Sequence, residues 1–339
     1  MSDFSDSMSI FQTIAWTSLA LAIVGGAIRV GTPYLFVSLG ECITERAGRV
    51  NLGLEGTLVM GAMVAYTVSH DSNLMLINLA QSMSMDPEYF VVFAPWLGVL
   101  AAALVGALMG VMHALGCSLP RVNSVAFGIA MMVFFANGLA KDLGKRMIQP
   151  VAPKLPAVSF GWWAETEQMQ FALRVNAIFL IGMVLTPILA WMLTSTRWGM
   201  VLRLAGESEE AAAAMGYSVN RIRTVATALG GFLAGIGGSF LSLYYPGSWT
   251  ETISSGQGLM AVALVIFARW SPLNCFWASL LFGGAGALGP ALQGQGLVSG
   301  AAANLWYTAP YVLTLVIMLI TSSRDRAMAG APGVLTQAR

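Results

Sequence analysis

The stretch TSTRWGMVLRLAGESEEAAAAMGYSVNRIR, residues 194–223, separates two long apolar segments, Leu173–Leu193 and Thr224–Tyr244. It holds four arginines and three glutamates, in a chain of which only 10% of the residues are charged. Charged side chains are costly in lipid and rare in membrane-spanning helices. The stretch therefore predicts a sizeable water-facing loop between two membrane spans.

The middle of this loop has the sequence of a short helix with defined ends. Ser208 is a favourable N-cap residue, and Glu209 and Glu210 fall in the first turn, where the helix dipole favours negative charge. The alanines 211–214 are strong helix formers, and Gly216 suits the position that ends a helix. A helix this short is marginal alone in water, so we expect it to dock on a partner. The alternative is an ordinary solvated loop.

The composition of the chain is that of an integral membrane protein. Hydrophobic residues make up 57% of it and its mean hydropathy is +0.72, whereas soluble domains are about 45–50% apolar and about 25% charged. We expect an all-α, polytopic helical bundle that forms a single membrane domain over residues 1–339. The net charge of +1 gives no reason to expect nucleic-acid binding.

Apolar segments predict about ten spans, because a bilayer core about 30 Å thick needs about 20 apolar residues in a helix. The predicted spans are Ile10–Ile28, Pro33–Ile43, Leu52–Val68, Phe90–Leu115, Val122–Ala140, Leu173–Leu193, Thr224–Tyr244, Gly258–Ala268, Asn274–Leu292 and Leu305–Ile320. The third and the eighth look short or broken. Each follows a glycine-containing turn (NLGLEG and SSGQG), and they lie in different halves of the chain. Such a pair is typical of inverted repeats around a midplane pathway.

The distribution of arginine and lysine predicts the orientation in the membrane. Most of them fall on one side if both termini are cytoplasmic, as the positive-inside rule requires. We therefore expect a multi-pass protein of the cell (inner) membrane, with cytoplasmic tails at residues 1–8 and 321–339 and a cytoplasmic loop at 194–223. Residues 70–89 are predicted as a polar loop, and 141–170 as a longer external one.

The sequence offers no catalytic or metal-binding constellation. It has no GxxxxGK[ST] phosphate loop, no HExxH and no GxSxG motif. The two histidines, His70 and His113, are far apart, and the three cysteines are scattered among apolar segments. We expect neither an enzyme nor a metal site, and no cofactor on this chain.

Three blocks of the sequence carry a resemblance to a known family. They are WGMVLRLAGESEEAAAAMGYSVNRIRTVATALGGFLAGIGGSF (198–240), ECITERAGRVNLGLEGTLVMGAMVAY (41–66) and GQGLMAVALVIFARWSPLNCFWASLLFGGAGAL (256–288). They resemble the permease subunits of ABC importers, in the branch that serves nucleosides and simple sugars. Branched-chain amino acid permeases are more distant relatives.

This resemblance implies both partners and a role. A separate cytoplasmic ATPase, which binds ATP and Mg²⁺, would dock on the 207–216 helix and drive import of a nucleoside or a related purine or simple-sugar solute. The implied coupling residues are Glu207, Ser208, Glu209, Glu210, Ala211, Ala212, Met215 and Gly216. The other implied partners are a second, paralogous permease in a heterodimer, an extracytoplasmic substrate-binding protein and membrane lipid. Trp162 and Trp163, with Pro150, Pro153 and Pro156 before them, suggest a semi-rigid external lip, and we expect the substrate-binding protein to meet it.

Polar residues on or beside the spans are candidates for the solute pathway. They are Asn51, Glu55, Asn123, Ser124, Asn137, Gln257 and Asn304. Amides supply hydrogen-bond donors and acceptors without charge, as a sugar or nucleoside requires. The alternative for each amide is helix–helix packing. For the cluster around Glu41, Glu45, Arg46 and Arg49, the alternative is an ion-pair network that braces the turn before the third span.

A second class of function remains open from the sequence. The protein would then be an ion-coupled secondary transporter of a small polar solute, with Glu41, Glu45 or Glu55 as its proton or sodium site. Uptake without any ATPase subunit would distinguish this class from an ABC importer.

Overall fold

The computed structural model describes residues 2–145, 152–162, 170, 173–298, 305–306, 308–321 and 330–337. Most of these residues are helical, in agreement with the predicted helical bundle. The helices are α1 Ser2–Arg46, α2 Leu54–Ser82, α3 Glu88–Val91, α4 Ala94–Gly116, α5 Ser124–Met132, a π-helix Val133–Leu139, α6 Ala140–Gly144, α7 Ala177–Ser195, α8 Arg197–Glu207, α9 Glu209–Ala214, α10 Val219–Leu243, α11 Gln257–Phe267, α12 Pro272–Gly294, α13 Ala309–Thr321 and α14 Gly333–Gln337.

Within the described ranges, six helical segments are long and apolar enough to cross a membrane. They are Trp16–Arg46, Glu88–Gly116, Ser124–Gly144, Ala177–Ser195, Val219–Leu243 and Pro272–Gly294. A multi-pass membrane protein is thereby confirmed, whereas a count of about ten spans is not. The apolar helix α11 has 11 residues, so the short segment predicted at Gly258–Ala268 is present.

The first two predicted spans are one continuous helix, α1, with Pro33 inside it. The expectation of a break after Ile28 is wrong. Proline at position 33 removes the N–H donor that would pair with the Arg29 carbonyl oxygen, yet the helix continues to Arg46. Membrane helices tolerate such an interruption. One residue earlier, the Thr32 hydroxyl donates to the Ile28 carbonyl oxygen at 2.6 Å. Arg29 lies inside the helix, and its guanidinium is 5.9 Å from the centre of the Tyr245 ring.

Helix α1 is also longer than a bilayer core is thick. A helix of 45 residues extends about 67 Å, well beyond the hydrocarbon thickness of about 30 Å. Its Arg46 end lies against α8, where Gly206 leaves no room for a side chain beside the Arg46 carbonyl oxygen. The predicted cytoplasmic position of residues 1–8 and of the 194–223 segment stays a prediction.

The third predicted span, Leu52–Val68, is not short. It forms the first part of α2, which continues to Ser82 through most of the predicted polar loop at 70–89. No glycine or proline occurs between residues 69 and 82, and the leucines, methionine, alanine and glutamine there favour a helix. The polar residues at these positions therefore belong to an exposed part of a helix and do not form a loop.

Helix α10 lies at the centre of the bundle and packs against α1, α2 and α4. Its glycine-rich segment allows backbones to approach closely, as expected for small residues in membrane helices. A Cβ atom at Gly231 would collide with the Gly106 carbonyl oxygen of α4, and one at Gly238 with the Leu58 carbonyl oxygen of α2.

Two short strands form an antiparallel sheet that the sequence analysis did not predict. They are β1 Ala157–Ser159 and β2 Arg174–Asn176, with Val158 opposite Val175. The Asn176 side chain ends the sheet, because its Nδ2 donates to the Pro156 carbonyl oxygen at 3.2 Å and its Oδ1 accepts from the Ile178 amide at 2.8 Å. Trp162, beside this sheet, is 83% exposed, and Trp163 lies outside the described residues.

Candidate functional site

The short helix predicted in the 194–223 stretch is present as α9. Its N-cap is Ser208, whose hydroxyl oxygen accepts a hydrogen bond from the Ala211 amide at 3.2 Å. Gly216 follows it with a φ of +83°, in the left-handed region that favours glycine. Glu207, however, ends the preceding helix α8 and does not belong to α9.

The sequence analysis predicted a water-facing loop around this short helix, but most of the rest of the stretch is helical. Residues 197–207 form α8, which buries Leu202 and Ala205 completely, and α10 already begins at Val219. Apolar positions at helical spacing along WGMVLRLA explain this packing. Thus α8 and α9 form a helical unit attached to the membrane bundle.

Arg223 holds this unit to the bundle. Its side chain is 8% exposed and forms an ion pair with Glu209 at the start of α9. Its Nε donates to the Ala47 carbonyl oxygen at 2.9 Å, just after α1, and its Nη2 donates to the Ala205 carbonyl oxygen of α8 at 3.3 Å. One guanidinium therefore connects α9, α8, α10 and the end of α1. We call this set of contacts the Arg223 clamp.

The other side of α9 is open to a partner. Ala212 is buried, whereas Glu210, Ala211 and Ala214 are exposed, and Met215 is 67% exposed. Tyr217 continues this surface at 41% exposure. We call these five exposed residues the α9 face. Of the predicted coupling residues, Glu209 and Ala212 thus contact the bundle, and Glu210, Ala211 and Met215 lie on the α9 face.

The C-terminal helix α14 lies next to the same unit. The Gly333 amide donates to Glu207 Oε2 at 3.1 Å, and Val334 lies beside Gly48 in the turn after α1. Residues 330–337 and the 194–223 stretch therefore lie on one side of the bundle, and the predicted cytoplasmic position of both stays a prediction.

A second site lies where the turn before α2 meets the start of α11. The Glu55 carboxylate accepts hydrogen bonds from the Ser254 hydroxyl, from the Gly256 amide at 3.1 Å and from the Gly258 amide at 2.7 Å. A helix N-terminus stabilises a carboxylate in this position. A Cβ atom at Gly258 would lie 2.6 Å from Glu55 Cα, so only glycine allows this approach. The two glycine-containing turns of the predicted inverted repeat are in contact, although the repeat itself stays a prediction.

Glu41 and Glu45 do not take part in the predicted ion-pair network. The Glu41 carboxylate accepts a hydrogen bond from the backbone N–H of Asn51 at 2.7 Å, and the Glu45 carboxylate accepts one from the Trp270 indole N–H. Arg49 donates to the Ala114 carbonyl oxygen and to the Ser118 hydroxyl at 2.9 Å, so it braces α4. The i, i+4 spacing of Glu45 and Arg49 failed as a guide because the helix ends at Arg46, before Arg49 is reached.

The remaining pathway candidates are only partly brought together. Asn51 is buried and caps its own turn, since its Oδ1 accepts from the Gly53 amide at 2.9 Å. Gln257 opens α11 close to Glu55, and its Oε1 is buried without a hydrogen-bond partner among the described residues. Asn123 is an exposed N-cap of α5, and Ser124 is the first residue of that helix. Asn137 is exposed on the π-helix, and Asn304 lies outside the described residues.

The chain matches the model of a protein family described as "Branched-chain amino acid transport system / permease component" over residues 16–321. It belongs to this permease family. Three relatives are similar over most of their lengths. The nucleoside ABC transporter permease NupC of Lactococcus lactis is 28% identical, covering 88% of this chain and 91% of its own. The guanosine ABC transporter permease NupQ of Bacillus subtilis is 27% identical, covering 87% and 90%. The putative glucose ABC transporter permease TsgC13 of Haloferax volcanii is 28% identical, covering 78% and 76%.

These relatives confirm the expectation of an ABC permease of the nucleoside and simple-sugar branch. Proteins of this kind are transport subunits and not enzymes. The three blocks on which the resemblance was based, residues 41–66, 198–240 and 256–288, all lie within the matched range of 16–321. These blocks contain Glu55, the residues of the Arg223 clamp and the start of α11.

Proposed function

We propose that this permease imports a nucleoside, or a related purine or simple-sugar solute, in an ABC importer whose energy comes from a separate ATPase subunit. The observation that carries the solute class is the similarity to NupC over 88% of this chain. NupQ and TsgC13 extend the class to guanosine and glucose, and a purine and a pentose or hexose share the need for uncharged hydrogen-bond partners.

The ATPase docks on the α9 face, on the cytoplasmic side, and carries the ATP and Mg²⁺. Exposed Met215 and Tyr217 offer apolar anchors, and Glu210 adds a charge beside them. The Arg223 clamp gives this contact a mechanical consequence, because a displacement of α9 acts on α8, α10 and the end of α1. The other partners are a paralogous second permease, an extracytoplasmic binding protein at the side of β1 and Trp162, and the surrounding lipid.

The solute passes near Glu55 and Gln257. Helix α11 has 11 residues and so extends about 16 Å, roughly half of the hydrocarbon thickness. Its far end is followed by Trp270, which bonds to Glu45 and accepts from Arg46 Nε at 3.0 Å near the cytoplasmic end of α1. The start of α11 therefore lies about halfway across the bilayer, where transporters with interrupted helices bind their solutes. There the Gln257 Oε1 atom offers an acceptor.

Reconstitution in proteoliposomes tests this function. The permease, its ATPase, the second permease and the binding protein are assembled, and uptake of labelled guanosine, inosine and glucose is measured with and without ATP. We expect ATP-dependent uptake of at least one of these solutes. Uptake that continues without the ATPase and stops when an ion gradient is collapsed would instead establish a secondary transporter.

A pair of glutamine variants tests the pathway. Gln257→Leu removes the buried acceptor, and we expect a higher KM for uptake with unchanged ATPase association. Gln293→Leu, at an exposed glutamine of α12, is the matched control and should leave uptake unchanged. Equal uptake by both variants would contradict the placement of the pathway at Gln257.

A further inference from the structure

Two glutamates near the end of α1 have unpaired oxygens inside the protein. Glu41 and Glu45 lie about one turn apart and are 0% and 1% exposed. One oxygen of each is bonded, because Glu41 Oε1 accepts from the Asn51 backbone N–H and Glu45 Oε2 accepts from the Trp270 indole N–H. The other two oxygens, Glu41 Oε2 and Glu45 Oε1, are buried without a hydrogen-bond donor among the described residues. Buried polar atoms are normally hydrogen-bonded, so these two require an explanation.

No cation neutralises the pair in the part of the chain that the structure describes. The ion pairs found there join Lys141 to Glu251, Lys145 to Asp142 and Arg223 to Glu209. Arg46 and Arg49, the arginines closest to the pair in sequence, donate to the Trp270 carbonyl oxygen and to α4 instead. An isolated buried carboxylate is strongly unfavourable, and ionisable groups within membrane spans mark functional sites. Two carboxylates side by side add their mutual repulsion to this cost.

The two side chains also contact each other. The carboxyl groups of Glu41 and Glu45 lie within hydrogen-bonding distance of one another. An ionised carboxylate only accepts hydrogen bonds, whereas a protonated carboxyl group has one O–H donor. This contact is therefore a hydrogen bond only if one of the two groups carries a proton. The same proton removes one of the two charges and supplies a donor to an otherwise unpaired oxygen. One proton thus accounts for the burial, the contact and the unpaired atoms together.

The other ionisable groups on the elements around the pair have partners of their own or are exposed. The Cys42 thiol donates to the Trp270 carbonyl oxygen at 3.0 Å, and the Cys275 thiol of α12 bonds with Cys42. On α10, Arg223 makes the contacts of the clamp, and in the turn after α11, Arg269 is exposed. None of these described groups donates to the two unpaired oxygens. The missing donor is therefore a proton of the pair itself.

We propose that Glu41 and Glu45 form a binding site for one proton, which the two carboxyl groups share and which holds Trp270 against the end of α1. With the proton in place, the pair carries one negative charge, and the Asn51 N–H and the Trp270 indole N–H stabilise it. Without the proton, the second charge drives the carboxylates apart and disturbs the bond between Glu45 and Trp270. The site involves neither the solute nor the ATPase, so its test does not depend on the function proposed above.

Infrared spectroscopy of the purified full-length permease tests the site, because a protonated carboxyl group has its own C=O stretching band. We expect the wild-type protein to show this band at neutral pH. Glutamine supplies an amide donor in place of the proton, so Glu41→Gln and Glu45→Gln should each abolish the whole band of the pair. Glu88→Gln, at an exposed glutamate of α3, is the matched control and should leave the band unchanged. Loss of half of the band in each of the two pair variants would show two separate protons and would overturn the proposal.

Thermal unfolding gives a second measurement. Between neutral and alkaline pH, the wild-type midpoint should fall further than that of Glu41→Gln, because only the wild-type pair holds a proton that the unfolded chain has released. Equal falls in the two proteins contradict a shared proton. Two results on the wild-type chain overturn the proposal even if no variant folds. One is the absence of a protonated carboxyl band. The other is a midpoint that rises with sodium chloride but not with choline chloride at equal ionic strength, which indicates a bound metal cation.

Discussion

Replacing Arg223 by methionine should separate ATP hydrolysis from transport. Methionine keeps much of the apolar volume but removes the donors to the Ala47 and Ala205 carbonyl oxygens, in a position where the side chain is only 8% exposed. Each buried carbonyl left without a donor costs about 1–3 kcal/mol. Glu209 is 55% exposed, so water replaces its partner and its lost ion pair adds at most about 1 kcal/mol.

The attachment of α9 to the end of α1 should therefore weaken by about 3 kcal/mol, or about 150-fold in the equilibrium between attached and detached states. The assay compares ATP hydrolysed with solute imported by the reconstituted complex. We expect hydrolysis to continue while uptake per ATP falls at least tenfold. Arg221→Met is the matched control, because Arg221 is an exposed arginine on the same first turn of α10. The reasoning is refuted if Arg223→Met lowers thermal stability but imports as much solute per ATP as the control.

Three further variants test other contacts. Met215→Asp places a charge on the α9 face and should weaken ATPase association more than tenfold in a pull-down, whereas Met215→Leu should preserve it. Gly258→Ala forces a Cβ atom to 2.6 Å from Glu55 Cα and should destabilise the protein by about 1–3 kcal/mol in thermal unfolding, while Gly294→Ala, with nothing within 4 Å, should not. Burial raises the pKa of the Cys117 thiol, and the positive charge of Arg49 partly opposes this shift, so a smaller fraction of the thiol is thiolate at neutral pH. Maleimide should therefore label Cys117 more slowly in the folded protein than in the unfolded chain, and the labelling rate should increase as the pH rises. Labelling at the unfolded rate would contradict the burial of Cys117.

The features that were predictable from the sequence are those with local causes. The ends of α9 follow from Ser208 and Gly216, and the short α11 follows from the glycine-containing turn before it and the polar residues after it. Composition alone was enough for a multi-pass membrane protein. In each case the residues that determine the feature lie within a few positions of it.

The features that were not predictable depend on contacts between distant residues. A break was predicted between Ile28 and Pro33, where a charged residue and a proline interrupt the apolar sequence. The residue that contacts Arg29, Tyr245, lies more than 200 positions further along the chain, so the sequence could not show this contact. Arg223 looked like one more loop arginine, and the carbonyl groups that it contacts belong to other helices. Sequence spacing likewise could not show that Glu45 bonds to Trp270 instead of Arg49.

The two candidate sites are joined by a series of hydrogen bonds and helical segments. Arg223 donates to the Ala47 carbonyl oxygen just after α1. Arg46, the residue before Ala47, and Cys42, about one turn further back, both donate to the Trp270 carbonyl oxygen. Trp270 follows α11, whose other end is held by Glu55. We propose that a displacement of α9 is passed to the start of α11 through α1 and Trp270. Trp270 has a φ of +54°, which residues other than glycine rarely adopt, so this backbone conformation depends on the hydrogen bonds from Arg46 and Cys42. We therefore expect α11 to be the part of the pathway that responds first when the clamp moves.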